Sequence, residues 1–329
     1  MVKGRVSVVI PGCNERFMPR TVAGLLAAAY GDVEIFAVID GGPDQHVSDD
    51  PRVTTIRHPQ TVGMRETVNR LASVITGEFL MKCDAHCIFA PGWDQALKDH
   101  CDGDWVSVPT RHAINGETWT VCGRGGGALD MEHGGVNYHY LTFPYAPSMY
   151  GYGLHGKEFS RHANRALNQE LAGTPIDDLM SFQGSCWFTP TANFLRLGPL
   201  DQANYNFYAE SIEVGLRQWM SGGRVAINKT TWYAHYHKGK NNLHTVDGRI
   251  GRGFLLSLDG KRRSEAFATD FWMNDRWPNA ALTFEQFIAR FEPLLARVPT
   301  DERWPADWND PKHRIDFLNR PPEQIPAHI

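Results

Sequence analysis

The sequence has 329 residues, 42% hydrophobic and 21% charged, enough apolar mass for one large core or two modest ones, which excludes disorder and coiled coil. Its 33 Lys and Arg against 37 Asp and Glu leave a formal charge of −4, so an anionic partner has to be met by a local patch rather than by a whole-molecule field. No apolar run reaches the roughly 18 residues that span a bilayer, and the six Cys are irregularly spaced thiols suited to a reducing compartment, so the expected location is cytoplasmic.

The first third alternates in period. Arg5–Ile10 and Val33–Ile39 are β-branched runs that end in Gly, Pro, Asn or Asp, as buried parallel strands do. Between them, Arg20–Tyr30 has helix formers and an apolar face. A third strand, Val53–Arg57, precedes a helix over Thr61–Ile75 with Val62, Val68, Leu71 and Ile75 along one side, and Glu78–Cys83 is a fourth strand. Strands alternating with helices imply βαβ crossovers and a mainly parallel sheet whose ligands sit at the carboxyl ends of the strands. Those ends are Pro11–Glu15, Asp40–Asp44 and Asp84–His86, all polar.

From His112 to Gly156, glycines interleave with tyrosines, which reads as a long surface excursion. Gly123–Gly127 lacks the Gly-Lys-Ser/Thr ending of a phosphate loop and is set aside. Regular structure resumes with a strand at Gln183–Thr189 and helices at Thr191–Leu197 and Glu210–Met220, the second capped by Gly222-Gly223. Short strands at Arg224–Asn228 and Thr231–Tyr236 and an amphipathic helix at Thr283–Val298 follow, before a Pro- and Trp-rich tail.

Asp84 and His86, two apart at the end of a strand, point to the same side of the backbone and form a two-ligand claw suited to Mn²⁺ or a similar borderline ion. A structural zinc at Cys83, His86 and Cys87 is disfavoured, because Cys83 and His86 face opposite sides and no second Cys pair exists. Glu210 and Glu213, three apart, share one face at the start of a helix, where the macrodipole favours ionised carboxylates.

Val6–Glu15 (VSVVIPGCNE), Val38–Asp40 with its Gly-rich turn, Gly63-Met64-Arg65, Gly77–His86 and Pro91-Gly92-Trp93 resemble the opening of family 2 glycosyltransferases and of polypeptide N-acetylgalactosaminyltransferases, with the Asp-x-His metal motif of the latter. Gln183-Gly184, Phe207–Glu213 and Gly222-Gly223 are similar to later motifs of the same enzymes, with Tyr208-Ala209 and Ser211 departing from the pattern. The resemblance covers roughly residues 5–100 and 180–240. It implies an α/β, GT-A (Rossmann-like) fold with a mainly parallel sheet, flanking helices and a C-terminal helical or irregular extension. Residues 1–240 would form the catalytic domain, divided into a nucleotide-binding half (1–111), the Gly- and Tyr-rich excursion (112–160) and an acceptor half (161–240), with 241–329 as the extension.

The activity implied is metal-dependent transfer from a UDP-sugar to a hydroxyl acceptor, with Mn²⁺ or Mg²⁺ neutralising the departing diphosphate. Asp84, His86 and, by its match to the family's late histidine, His235 would hold the metal, with His237 as the alternative third ligand. Pro11, Glu15, Asp40, Arg65 and Asp84 would contact the donor, and Glu210 with Glu213 would serve the acceptor hydroxyl. Family 2 resemblance suggests inversion and the acetylgalactosaminyltransferase resemblance suggests retention. Lys238–Arg263 carries seven Lys or Arg against Asp247 and Asp259, so it serves either as a lid over the diphosphate or as a dock for a polyanion. The acceptor expected from the second role is nucleic acid, such as a hydroxymethylated base in phage-type DNA modification. A cell-surface glycan or protein acceptor is the alternative, and a catalytically silent nucleotide-sugar-binding module is the reading from another class.

Overall fold

The computed structural model describes residues 1–145, 153–237, 245–246, 249–250 and 258–318. In chain order the first half comprises β1 (Val2–Gly12), α1 (Met18–Ala28), β2 (Val33–Asp40), β3 (Val53–His58), α2 (Met64–Ala72), β4 (Gly77–Cys83), β5 (Cys87–Phe89), α3 (Trp93–Lys98), β6 (Trp105–Asn115) and β7 (Thr120–Cys122). Then come β8 (His139–Leu141), β9 (Gly156–Glu158), α4 (Arg161–Glu170), β10 (Ile176–Asp178), β11 (Cys186–Pro190), α5 (Thr191–Leu197), α6 (Glu210–Met220) and β12 (Arg224–His235). A hairpin of β13 (Thr245–Val246) and β14 (Arg249–Ile250) and the helices α7 (Leu258–Met273), α8 (Phe284–Arg290), α9 (Glu292–Leu295) and α10 (Pro311–Leu318) complete the chain.

The main sheet runs β10-β12-β6-β11-β4-β1-β2-β3, with β5 added to β12 and β7 to β6. The β4-β1-β2-β3 portion is wholly parallel, as the alternation of strand and helix predicts. β11 enters antiparallel between β4 and β6, and β6 and β12 are again parallel, so the complete sheet is mixed. The two short strands expected at 224–228 and 231–236 are one strand whose register slips between Asn228 and Trp232.

Strand alternation explains the layering. In β1, Val6, Val8 and Ile10 face a core shared with Met18, Val22 and Leu25 of α1 and Trp93 and Leu97 of α3. Val9 faces the other way, into a larger core with Val68 and Leu71 of α2 and Ile212, Leu216 and Trp219 of α6. The C-terminal helices belong to that same core, since Trp272, Phe284, Phe287 and Trp308 pack with Trp219 and Met220. The single amphipathic helix expected at 283–298 is two, broken after Arg290 where Phe291 leads into Glu292-Pro293.

The Gly- and Tyr-rich stretch is less superficial than its composition suggests. Tyr138, Tyr140, Leu141 and Phe143 are all buried in the larger core, and the Tyr140 hydroxyl donates to Glu302 at 2.6 Å, tying this stretch to the C-terminal region. Tyr150 and Tyr152 of that stretch lie outside the described residues.

Candidate active site

The crossing point is the carboxyl end of β4. Cys83 closes the strand, the Asp84 N–H donates to Ser185 O at 2.8 Å, and the chain turns into β5, which pairs antiparallel with the end of β12 so that His235 lies opposite Cys87. This brings a distant strand end beside the Asp84–His86 turn. Asp84, His86 and His235 each offer one ligand atom, and those atoms lie within 4.8 Å of one another. His235 Nε2 is 3.2 Å from Asp84 Oδ2, and His86 Nε2 is 3.8 Å from the same oxygen.

The surroundings prepare these three side chains for a cation. His86 Nδ1 is 2.8 Å from Glu15 Oε2, which holds the proton on Nδ1 and leaves the Nε2 lone pair toward Asp84, as a carboxylate behind a metal-bound imidazole typically does. Burial pushes the His235 imidazole down to about 3 against the opposing pull of Asp84, and burial also lowers His86. Both are therefore neutral ligands at physiological pH. Burial alone would raise the Asp84 carboxyl, but the Lys82 ammonium and the His235 hydrogen bond outweigh it and hold it below the usual carboxylate range. His235 Nδ1 is buried with no hydrogen-bond partner among the described residues. A carboxylate and two neutral imidazoles suit Mn²⁺ better than Mg²⁺, which prefers an all-oxygen shell.

Lys82 is the residue that motifs alone do not point to. Its side chain is fully buried, and its ammonium donates to Asp84 Oδ1 at 2.8 Å, Gly184 O at 2.8 Å and Glu210 Oε2 at 2.9 Å. Trp187 Nε1 donates to the other oxygen of Glu210 at 2.8 Å. Gly184 has to be glycine here, because a Cβ would stand 2.6 Å from Glu210 Oε2. A signal for Lys82 does lie in the strand itself: a lysine in a buried β-strand needs partners, and Lys82 shares its face with Asp84.

The same network holds Glu210 and Glu213, the carboxylates expected to serve the acceptor hydroxyl. Glu210 is buried, with one oxygen accepting from Lys82 and the other from Trp187. Glu213 is equally inward, with Arg65 Nε at 2.6 Å, Arg217 at 2.7 Å and the Asp201 N–H at 2.5 Å. Asp40, expected to meet uracil or ribose, accepts from the Val62 and Gly63 N–H groups at 2.8 and 2.9 Å and lies 3.0 Å from His58 Nδ1, pinning the turn before α2 to the end of β2. Glu15 is committed to His86 in the same sense.

The expected donor residues nevertheless share one place. Pro11, Glu15, Asp40, Arg65, Asp84 and His86 line a single cleft along the ends of β1, β2 and β4, with Gln202 and Phe207 also in its lining. It is narrow in this conformation, about 80 Å³. Arg65 is buried, bonded to Glu213 and to Asn206 O at 2.5 Å, but its Nη2 has no partner among the described residues. His237 does not join the three ligands. Its ring packs 4.7 Å from that of His235 and its Nε2 is hydrogen-bonded to Arg111, which in turn pairs with Glu158. Of the basic segment, Lys238, Lys240 and Arg252 lie outside the described residues, as does the side chain of Arg249. Lys261 is buried, 3.6 Å from Glu265, so it offers no charge to solvent, whereas Arg262 and Arg263 are exposed.

Residues 7–124 match glycosyl transferase family 2. The chain is 24% identical over 330 residues to the putative polypeptide N-acetylgalactosaminyltransferase 13 of Drosophila melanogaster, covering 92% of this chain and 52% of that protein. It is 25% identical over 228 residues to polypeptide N-acetylgalactosaminyltransferase 5 of Caenorhabditis elegans, covering 68% of this chain and 32% of that one. The chain thus spans about half or less of the length of these curated relatives. Among solved structures, GalNAc-T7 with UDP, GalNAc and Mn²⁺ superposes with a TM-score of 0.59 at 17% identity, over 95% of this chain and 55% of that one, and shows the fold to be of the GT-A type.

Proposed function

With residues 7–124 forming a glycosyl transferase family 2 domain in a chain homologous to polypeptide N-acetylgalactosaminyltransferases, we propose that this protein is a metal-dependent glycosyltransferase that moves a sugar from a UDP-sugar to a hydroxyl acceptor. The observation that carries the reading is the convergence of Asp84, His86 and His235 beside the cleft at the ends of β1, β2 and β4. GalNAc-T7, solved with UDP and Mn²⁺ bound, supports the same cofactor and donor here.

Each residue then has a distinct task. A divalent cation held by Asp84, His86 and His235 would offset the negative charge that builds on the leaving diphosphate. Glu15 fixes the His86 tautomer. Lys82 orients Asp84 by holding Oδ1, which leaves Oδ2 toward the imidazoles. Arg65 lines the cleft with an unpartnered Nη2, which supports the donor contact expected of it. A nucleotide sugar needs a wider cleft than this conformation offers, because ligand pockets ordinarily run to about 300–1,000 Å³.

A hydroxymethylated base in DNA, the acceptor suggested by Lys238–Arg263, loses one supporting charge with the burial of Lys261. A glycan or protein hydroxyl is therefore the acceptor we favour. The test is UDP release from UDP-sugars with Mn²⁺ by wild type and Asp84→Asn. Metal-dependent release by wild type alone supports the reading, and identical release by both proteins overturns it.

A further inference from the structure

A second cavity sits beside the cation cluster and shares no lining residue with the donor cleft. The turn between β6 and β7 builds it. Asn115 Oδ1 accepts from the Glu117 and Thr118 N–H groups at 3.0 and 3.2 Å, and Trp119 adopts φ +55°, a left-handed conformation that costs a bulky residue energy. The strained turn lays the Trp119 ring on Phe17, with centroids 4.6 Å apart and planes 23° apart. Tyr236 meets Phe17 edge-on at 5.3 Å, and only a glycine at position 116 admits it, since a Cβ there would stand 2.3 Å from its ring.

Two guanidiniums rest on this aromatic floor. Arg16 lies 4.5 Å from the centroid of Phe17 and Arg20 lies 5.8 Å from that of Trp119. Both arginines are exposed, and neither forms an ion pair with a described residue. They open on a cavity of about 850 Å³ whose one lining carboxylate, Glu117, leaves it net positive. The cavity is also close to the chemistry. Tyr236 forms part of its wall, follows His235 directly, and donates its N–H to His86 O at 3.1 Å.

We propose that this cavity is the acceptor subsite and that it takes a phosphorylated saccharide unit. The inference rests on the glycosyltransferase reading and names the acceptor class for it. Stacked guanidiniums are pre-oriented forks that match the oxyanions of a phosphate bidentately, and they cost little entropy to fix. Tyr236, partly exposed in the cavity wall, offers an aromatic surface to the apolar side of a sugar ring. The volume is that of a small-ligand pocket rather than of a nucleic-acid duplex.

The experiment is calorimetric titration of the full chain, with Mn²⁺ and UDP present, by glucose 6-phosphate, glucose, inorganic phosphate and a single-stranded oligonucleotide. Wild type is compared with Arg16→Gln/Arg20→Gln and Arg16→Lys/Arg20→Lys, all shown to be folded by thermal melting. Glucose 6-phosphate should bind tighter than glucose or phosphate alone, lose at least about tenfold in the Gln pair and be partly restored in the Lys pair, as expected for charge-assisted hydrogen bonds. UDP affinity, measured separately, should be unchanged in both variants. Absent glucose 6-phosphate binding, equal binding by wild type and the Gln pair, or a parallel loss of UDP affinity overturns the proposal. So does oligonucleotide binding that is tighter than glucose 6-phosphate and dependent on the same arginines. Arginine-dependent glucose 6-phosphate binding in a chain that fails to bind UDP would leave the phosphate site standing and remove the donor reading instead.

Discussion

Replacing Lys82 by Met removes a fully buried cation from between Asp84 and Glu210 while keeping the length and most of the apolar volume of the side chain. The ammonium makes three hydrogen bonds of 2.8–2.9 Å, to Asp84, Glu210 and Gly184. Its loss leaves two carboxylates near one another with no cation between them, their remaining partners being the neutral Trp187 and His235, and breaking a buried pair in this way costs about 3–5 kcal/mol. The pH dependence gives the mechanism a signature. In wild type, Asp84 is held below the usual carboxylate range despite its burial, and Lys82 is the main cause. Without the ammonium, both carboxyls rise above their unfolded values, so the native state binds more protons than the unfolded chain and the variant gains on wild type as pH falls from 7 toward 5. Urea denaturation at pH 7 and pH 5 measures this. The expected result is a deficit of about 3–5 kcal/mol at pH 7 that narrows at pH 5, with partial recovery in Lys82→Met/Glu210→Gln. A deficit under about 1 kcal/mol, or one that widens on acidification, would refute the reasoning, because it would mean that the two carboxylates do not depend on the lysine.

Other expectations follow from the same geometry. Glu15→Gln should weaken Mn²⁺ binding by about 10–100-fold with little change in melting temperature, as when a metal-bound imidazole loses the carboxylate behind it, and unchanged affinity would separate Glu15 from the cation. Glu210→Gln should lower stability and loosen Mn²⁺ but leave the shape of the pH–rate profile intact, since Glu210 is enclosed by Lys82 and Trp187; loss of a basic limb in that profile would restore it as a proton acceptor. Arg65→Met should cost about 1.5–3 kcal/mol, the loss of one charge-assisted hydrogen bond to a Glu213 that keeps Arg217 and the Asp201 N–H, a deficit read from urea unfolding. Burial pushes His112, His139 and His235 down to about 4, about 3 and about 3. The unfolded chain therefore takes up protons near its ordinary value of about 6.5 that the native state refuses, and wild-type stability should fall as pH drops below about 6.5.

The elements legible in the sequence are those whose pattern is local. The parallel strand β2 and the helices α5 and α6 match their expected spans closely, because each carries an apolar run and a clear stop, while β1 runs beyond its expected span at both ends. β6 is hard to read because Pro109, Arg111 and His112 interrupt its apolar pattern, and those polar side chains are buried by tertiary neighbours rather than by a period in the sequence. Asp84 and His86 are readable from spacing alone, whereas the place of His235 depends on β12 pairing with β5, a contact across 148 positions of chain between His235 and Cys87 that no local pattern encodes. The hydrogen-bond partners of the carboxylates are hidden from the sequence for a related reason. Position at a strand end or helix start shows where a side chain begins, but Asp40 and Glu210 turn to partners supplied by distant segments, the Val62–Gly63 turn and Lys82.

The central claim is that three protein ligands and a nucleotide diphosphate together make the cation site. Calorimetric titration of Mn²⁺ into the chain, with and without UDP, tests it most directly. Three ligands alone leave the shell incomplete, so binding should be weak in the absence of UDP, markedly tighter in its presence, and lost in Asp84→Asn under both conditions. Equal affinity with and without UDP, or Mn²⁺ binding that survives Asp84→Asn, would contradict the account.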